Sequence, residues 1–89
     1  MRCVVSVLGK DECGIVAAVA NVMADSKANI DDISQTILGD IFSMTMLVTL
    51  DTDYRGFNEV QELLAQQAEH LGVQITFQRQ DVFDMMYKV

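Results

Sequence analysis

The stretch ILGDIFSMTMLVTL, Ile37 to Leu50, decides the fold. Gly39–Asp40 separates two strand-like runs by two residues, the signature of a type II′ hairpin. After the turn the pattern alternates. Phe42, Met44, Met46, Val48 and Leu50 fall on one side; Ile41, Ser43, Thr45, Leu47 and Thr49 fall on the other. Two antiparallel strands joined by a tight turn therefore form the middle of the chain.

Upstream of the turn, Ile30, Ile33, Ile37 and Leu38 make the strand that enters the hairpin. Its first part, NIDDIS, does not alternate cleanly, which predicts a bulged start. Before it, Ile15, Val19, Val22 and Met23 recur at helical spacing, and that helix ends near Ser26–Lys27–Ala28. Cys3 to Leu8 is apolar and rich in β-branched residues, bounded by Gly9, and its length suits a strand buried on both faces. Downstream, DTDYRG is a polar loop. A second helix follows from about Phe57, with Val60, Leu63, Leu64, Ala68 and Leu71 on one face and Gly72 in the place of a terminating glycine. Val73, Ile75 and Phe77 then alternate with Gln74, Thr76 and Gln78 as a last strand.

The order is β-α-β-β-α-β. Right-handed crossovers put both helices on one face of a four-stranded antiparallel sheet. The fold class is α+β, a ferredoxin-like sandwich. Residues 81–89, DVFDMMYKV, form a C-terminal extension expected to hold a short helix. The fold leaves no obvious place to bury its Val82, Phe83, Met85, Met86 and Val89. They are expected to cover the helix-free sheet face or to meet a second subunit.

The totals narrow the function. With 89 residues there is room for one domain, spanning residues 1–89. A domain this small buries only about 60% of its unfolded surface, so association would stabilise it. Thirteen acidic against six basic residues give a net charge of −7, which argues against nucleic acid and anionic membranes as partners. The run from Cys13 to Ala20 is far too short to span a bilayer, and the N-terminus does not read as a signal peptide. Cys3 and Cys13 make no disulfide framework, which fits a cytoplasmic protein with reduced thiols.

No catalytic constellation can be assembled. A metal carrier of this fold needs two closely spaced cysteines in the first loop, and an RNA binder needs exposed aromatics and a basic surface. Neither is present. His70, the single histidine, falls in the last turn of the second helix, where it suits the dipole. The pairs Asp31–Asp32 and Asp51/Asp53 read as solvated loop carboxylates, since no calcium-type loop surrounds them. Cys13 reads as a small buried or half-buried thiol. The expectation is a non-enzyme with no metal and no cofactor.

The segment GKDECGIVAAV, Gly9 to Val19, raises one question: why a glycine, Gly14, begins a helix. A helix N-terminus presents unpaired N–H groups that suit a carboxylate. A glycine there clears the approach, and Asp11 is placed to hold an ammonium group. Together these describe a free amino acid. Equally, Gly14 allows a tight strand-to-helix turn and Asp11 is an ordinary cap. On the residues alone both readings stand.

GKDECGIVAAVANVMADSKANIDDISQ, Gly9 to Gln35, resembles the opening of an ACT domain, a small regulatory module that binds amino acids. Its pattern is G-x-D-x-x-G-I-V, a helix, then N-I-x-D-x-x-Q, and the hairpin continues the likeness. It is most similar to the N-terminal ACT domain of formyltetrahydrofolate deformylase and to those of the glycine-cleavage regulator, while the short tail suggests free-standing ACT proteins. In the serine-sensing ACT domain of phosphoglycerate dehydrogenase the ligand lies between two subunits. By motif position, the resemblance implies a site built from Asp11, Glu12, Cys13, Gly14 and Ile15 of one subunit, with Asn29 and Ile30 of another. Gly9 departs from a polar position of the dehydrogenase loop, and Lys10 from a proline of the deformylase. The deformylase keeps its catalysis in a later domain, so that activity does not carry over. The implied function is a non-catalytic regulatory module that binds a small amino acid as a homodimer or larger. The alternative is a ligand-free adaptor that regulates a metabolic enzyme or a repressor in trans.

Overall fold

The alternation at residues 42–50 builds the centre of the core. In a computed structural model, which describes residues 1–10 and 14–86, Phe42, Met44, Met46 and Val48 are each no more than 1% exposed. The elements are β1 (Arg2–Gly9), α1 (Ile15–Asp25), β2 (Asn29–Leu38), β3 (Ile41–Thr49), α2 (Phe57–Leu71), β4 (Gln74–Arg79) and α3 (Gln80–Met86). The strands pair antiparallel in the order β2-β3-β1-β4. The expected ferredoxin-like order is therefore present, with α3 added.

Gly39 has φ 62°, while Asp40 keeps a negative φ. A II′ turn needs a positive φ at its first central residue alone; a I′ turn would need both. The turn fixes the register, so that Ile37 faces Phe42, Gln35 faces Met44 and Ile33 faces Met46. The register then slips between Ile30 and Asp32, leaving Asp31 unpaired in the bulge expected from NIDDIS.

On the helix side of the sheet, Ile15, Val19, Val22 and Met23 of α1 and Val60 and Leu64 of α2 close over Cys3, Val5, Val7 and the β3 row. Phe57 at the start of α2 stacks on Phe77 of β4, with ring centroids 4.6 Å apart. Gly72 ends α2 in the left-handed region at φ 70°, and the Val73 amide reaches back to the Ala68 carbonyl. Ser26 ends α1. It is buried, and its hydroxyl accepts a hydrogen bond from Arg55 Nη1 at 3.0 Å.

One expectation needs correction. β1 is not buried on both faces along its length. Cys3, Val4, Val5 and Val7 are buried, but Ser6 is half-buried and Leu8 is 48% exposed. The reason lies in α3, which folds over the helix-free face and touches β1 and β4. It covers the Val4 end of β1 and leaves the Leu8 end open.

Candidate functional site

Gly14 precedes α1 with φ 83° and ψ −16°. That left-handed conformation is costly for a residue with a Cβ. Its carbonyl accepts the first helical hydrogen bond, from the Ala18 amide at 2.9 Å. Among the described residues, nothing lies within 4 Å of where a Gly14 Cβ would be. So the turn itself requires glycine here, and no described residue fills the space beside it. Among the described residues, the first turn of α1 carries no acidic side chain and Gly14 offers no side-chain cap. Ile15 buries its side chain in the core, so it can offer a ligand only its backbone. Asp11, Glu12 and Cys13 lie outside the described residues.

Gly9 has a different reason to be glycine. A Cβ there would sit 2.5 Å from Val73 Cγ1, at the entry to β4. The polar position of the dehydrogenase loop is thus replaced by a close backbone approach, and Val73 fills the space.

Asn29 and Ile30 open β2 at the opposite end of the sheet. Asn29 faces Thr49, which faces Arg2 at the start of β1, whereas Gly9 ends β1 beside Phe42. From Arg2 to Gly9 the strand rises about 23 Å at roughly 3.3 Å per residue. Within one chain the two halves of the implied site therefore stand far apart. Asn29 is a strand residue and does not close the helix. Lys27, φ 54°, takes the left-handed position instead.

The bulge organises this second half. Asp31 accepts hydrogen bonds from Asn29 Nδ2 at 2.6 Å and from Thr49 Oγ at 2.5 Å, with Arg2 Nε 3.6 Å away. The Thr49 hydroxyl, then the Asn29 amide, hold the Asp31 carboxyl below the ordinary carboxylate range; desolvation opposes them, and Arg2 adds a smaller pull. The Asn29 amide donates to Asp31, which leaves its carbonyl oxygen as the acceptor of that side chain. Sequence reasoning treated Asp31 only as a solvated loop acid; its place in the bulge, opposite a threonine hydroxyl, was the signal.

The other singled-out residues stay apart. His70 is exposed in the last turn of α2. Asp51 accepts from the Asp53 amide at 3.2 Å, and Asp32 from the Ile33 amide at 2.9 Å. Burial raises the pKa of the Cys3 thiol. Among the described residues no three His, Cys, Asp or Glu side chains gather as metal ligands, and no helix is long and apolar enough to cross a membrane. A cavity of roughly 250 Å³ that the sequence did not suggest lies between α3 and the sheet, lined by Val4, Leu47, Phe83, Asp32 and Asp84.

Residues 2–78 match the family model of the ACT domain. A UPF0237 protein of Methanocaldococcus jannaschii is 43% identical over 88 residues, covering 99% of this chain and 98% of its own. The solved ACT domain protein from Streptococcus pneumoniae is 37% identical with a TM-score of 0.81, covering 98% of each chain. Formyltetrahydrofolate deformylase from Pseudomonas putida, at 11% identity and TM-score 0.77, shares the fold over 88% of this chain and 28% of its own. On the family model and these full-length relatives together, the chain belongs to the ACT-domain family.

Proposed function

We propose that this protein is a non-catalytic regulatory module that binds a small amino acid at a site shared by two copies of the chain. The observation that carries the reading is the position of β2. It is an edge strand, exposed along all ten residues, and it runs from the Asn29 end of the sheet to the Gly9 end. Two such edges paired antiparallel about a two-fold axis set Asn29 of one copy beside the partner's α1 N-terminus. That pairing also satisfies the open backbone groups of the edge. It extends the helix-side row of β2, where Ile30, Ile33 and Ile37 remain 37%, 40% and 57% exposed.

In this site the ligand carboxylate accepts hydrogen bonds from the first amides of α1. Its ammonium meets Asp11 and the carbonyl oxygen of the partner's Asn29. Gly14 keeps the approach clear. The module acts by transmitting occupancy to a metabolic enzyme or regulator in trans.

Calorimetry against the common amino acids tests the reading. Losing a charge-bearing contact in a desolvated pocket costs about 2–5 kcal/mol. Asp11→Ala and Asn29→Ala are therefore expected to weaken binding at least tenfold with an unchanged circular dichroism spectrum. Wild-type protein that binds no amino acid would turn the reading to the ligand-free adaptor; equal binding by both variants would place the pocket elsewhere.

A further inference from the structure

The helix-free face of the sheet is divided. One end lies under α3, where Val4 is 2% exposed and Gln78 Nε2 donates to Met86 Sδ at 3.0 Å. The other end is open. Leu8, Leu38 and Ile41 stand there 48%, 74% and 43% exposed in a field of serine, threonine and glutamine. No strand residue on that open half bears a charge, although charged residues make up 21% of the chain. Depletion of charge around exposed aliphatics is the composition of an interface core. On the same side of the molecule, α3 holds out Val82, Met85 and Met86, exposed 43%, 79% and 61%. The face therefore carries both a raised apolar helix and an apolar recess.

We infer that two copies of this chain pack their helix-free faces together, with α3 of each seated in the open half of the other. A two-fold axis between the sheets, lying across the strands, exchanges the two ends of the face and makes the contact self-complementary. Dimensions fit. A seven-residue helix is about 10 Å long and about 10 Å wide, and strands of eight residues give a face about 26 Å long and, for four strands, about 19 Å wide. One α3 leaves more than half of that length open, room enough for the second. The flat face alone amounts to about 500 Å² per copy, about 1,000 Å² in all, which is the lower threshold for a specific interface, and the raised α3 adds to it. Both signs of charge stand at each end: the same axis brings Lys10 and Asp40 of one copy over the partner's end that holds Asp32 and Asp84 together with Arg2 and Arg79. The contact is distinct from pairing through β2 and does not depend on it.

The test is the mass in solution of the whole chain at 1–100 μM, by light scattering and sedimentation equilibrium, for wild type, Leu8→Asp, Met85→Lys and the double variant. Both changes fall on exposed side chains, so the fold is expected to survive. With both interfaces formed, four chains of 9.9 kDa give about 40 kDa. Leu8→Asp and Met85→Lys are each expected to halve the wild-type mass or raise the dissociation constant at least tenfold. The double variant, in which the new lysine of one copy meets the new aspartate of the other, is expected to recover much of the loss. A wild-type chain that stays near 10 kDa at 100 μM, or single variants whose mass matches wild type, would overturn the proposal. The amino-acid site is judged separately. If β2 pairing alone exists, the wild type is about 20 kDa and neither face variant alters it. If face packing alone exists, the face variants fall to about 10 kDa, while the calorimetry above decides the ligand.

Discussion

β2 and β3 leave the same two-residue turn and carry the same kind of pattern, yet they end in opposite environments. On the helix side Phe42, Met44 and Met46 of β3 are each 1% exposed, while Ile37 and Ile33 of β2, their direct neighbours, are 57% and 40% exposed. Both rows point to the same side of the sheet. The difference is cover. α1 and α2 close over β1, β3 and β4, and β2 extends past them. Periodicity thus tells which face a residue occupies, and only the arrangement of layers tells whether that face is closed within the chain. Here an apolar row stays open beside an unpaired edge among the described residues, and the proposed pairing of two copies would supply the missing cover.

The most direct way to break the comparison is at the paired residues Phe42 and Ile37. Phe42→Ala removes a fully enclosed ring and is expected to cost about 3–5 kcal/mol. Ile37→Ala is expected to cost under about 1 kcal/mol in the dilute single chain, because the side chain is already half in water. It should instead weaken self-association. Urea unfolding at low and high protein concentration checks both. Equal losses at the two positions in dilute solution would mean that β2 is enclosed by its own chain.

A smaller effect is expected at Gly9, where the closed layer begins. An added methyl would sit 2.5 Å from Val73 Cγ1. Overpacking of this kind costs about 1–3 kcal/mol, so Gly9→Ala should lower the urea midpoint. Val73→Ala in the same chain should restore part of it, since the second change makes the missing room. Additive losses in the double variant would show that no steric conflict is involved. Gly39, between the two compared strands, comes next. At φ 62° an L-residue costs about 1–2 kcal/mol. Gly39→Ala should destabilise by that amount and Gly39→Asn by clearly less, as thermal unfolding of the pair would report.

These positions also mark how far the sequence could be read. The hairpin, the β3 alternation, both long helices and the bulge at NIDDIS were legible, because each rests on local spacing or on turn chemistry. The exposed end of β1 was not. Its apolar run looks the same whether or not a helix crosses above it, and α3 crosses only the Val4 end. At the candidate site the helix start at Gly14 was legible from the sequence. In the second half of the site Asn29 and Ile30 were named, and Asp31 was read only as a solvated carboxylate. The partner that holds Asn29 in place, Asp31, meets Thr49 from eighteen residues away, and a contact between strands depends on register. The cavity under α3 was invisible for the same reason: its walls come from the two ends of the chain and its middle.

The smallest expected effect is a pH dependence at that bulge, where Asp31 ties the exposed strand to Thr49 of its neighbour. Asp31 is held below the ordinary carboxylate range chiefly by the Thr49 hydroxyl and the Asn29 amide. Its carboxyl therefore binds a proton less readily folded than unfolded. The stability it adds is complete above the ordinary value, about 3.9, and is lost as the pH falls through the lower folded value. Exposed ionic contacts are worth little, so the effect is modest and shrinks with salt. Asp31→Asn should be less stable than wild type at pH 7, with the gap closing toward the acid limit as the wild-type carboxyl becomes neutral too. Thr49→Val should narrow the pH-dependent part by removing the main donor. Urea midpoints measured from pH 7 downward give the comparison. A gap that stays constant through the acid range would mean that Asp31 holds β2 by shape alone and that its charge contributes nothing.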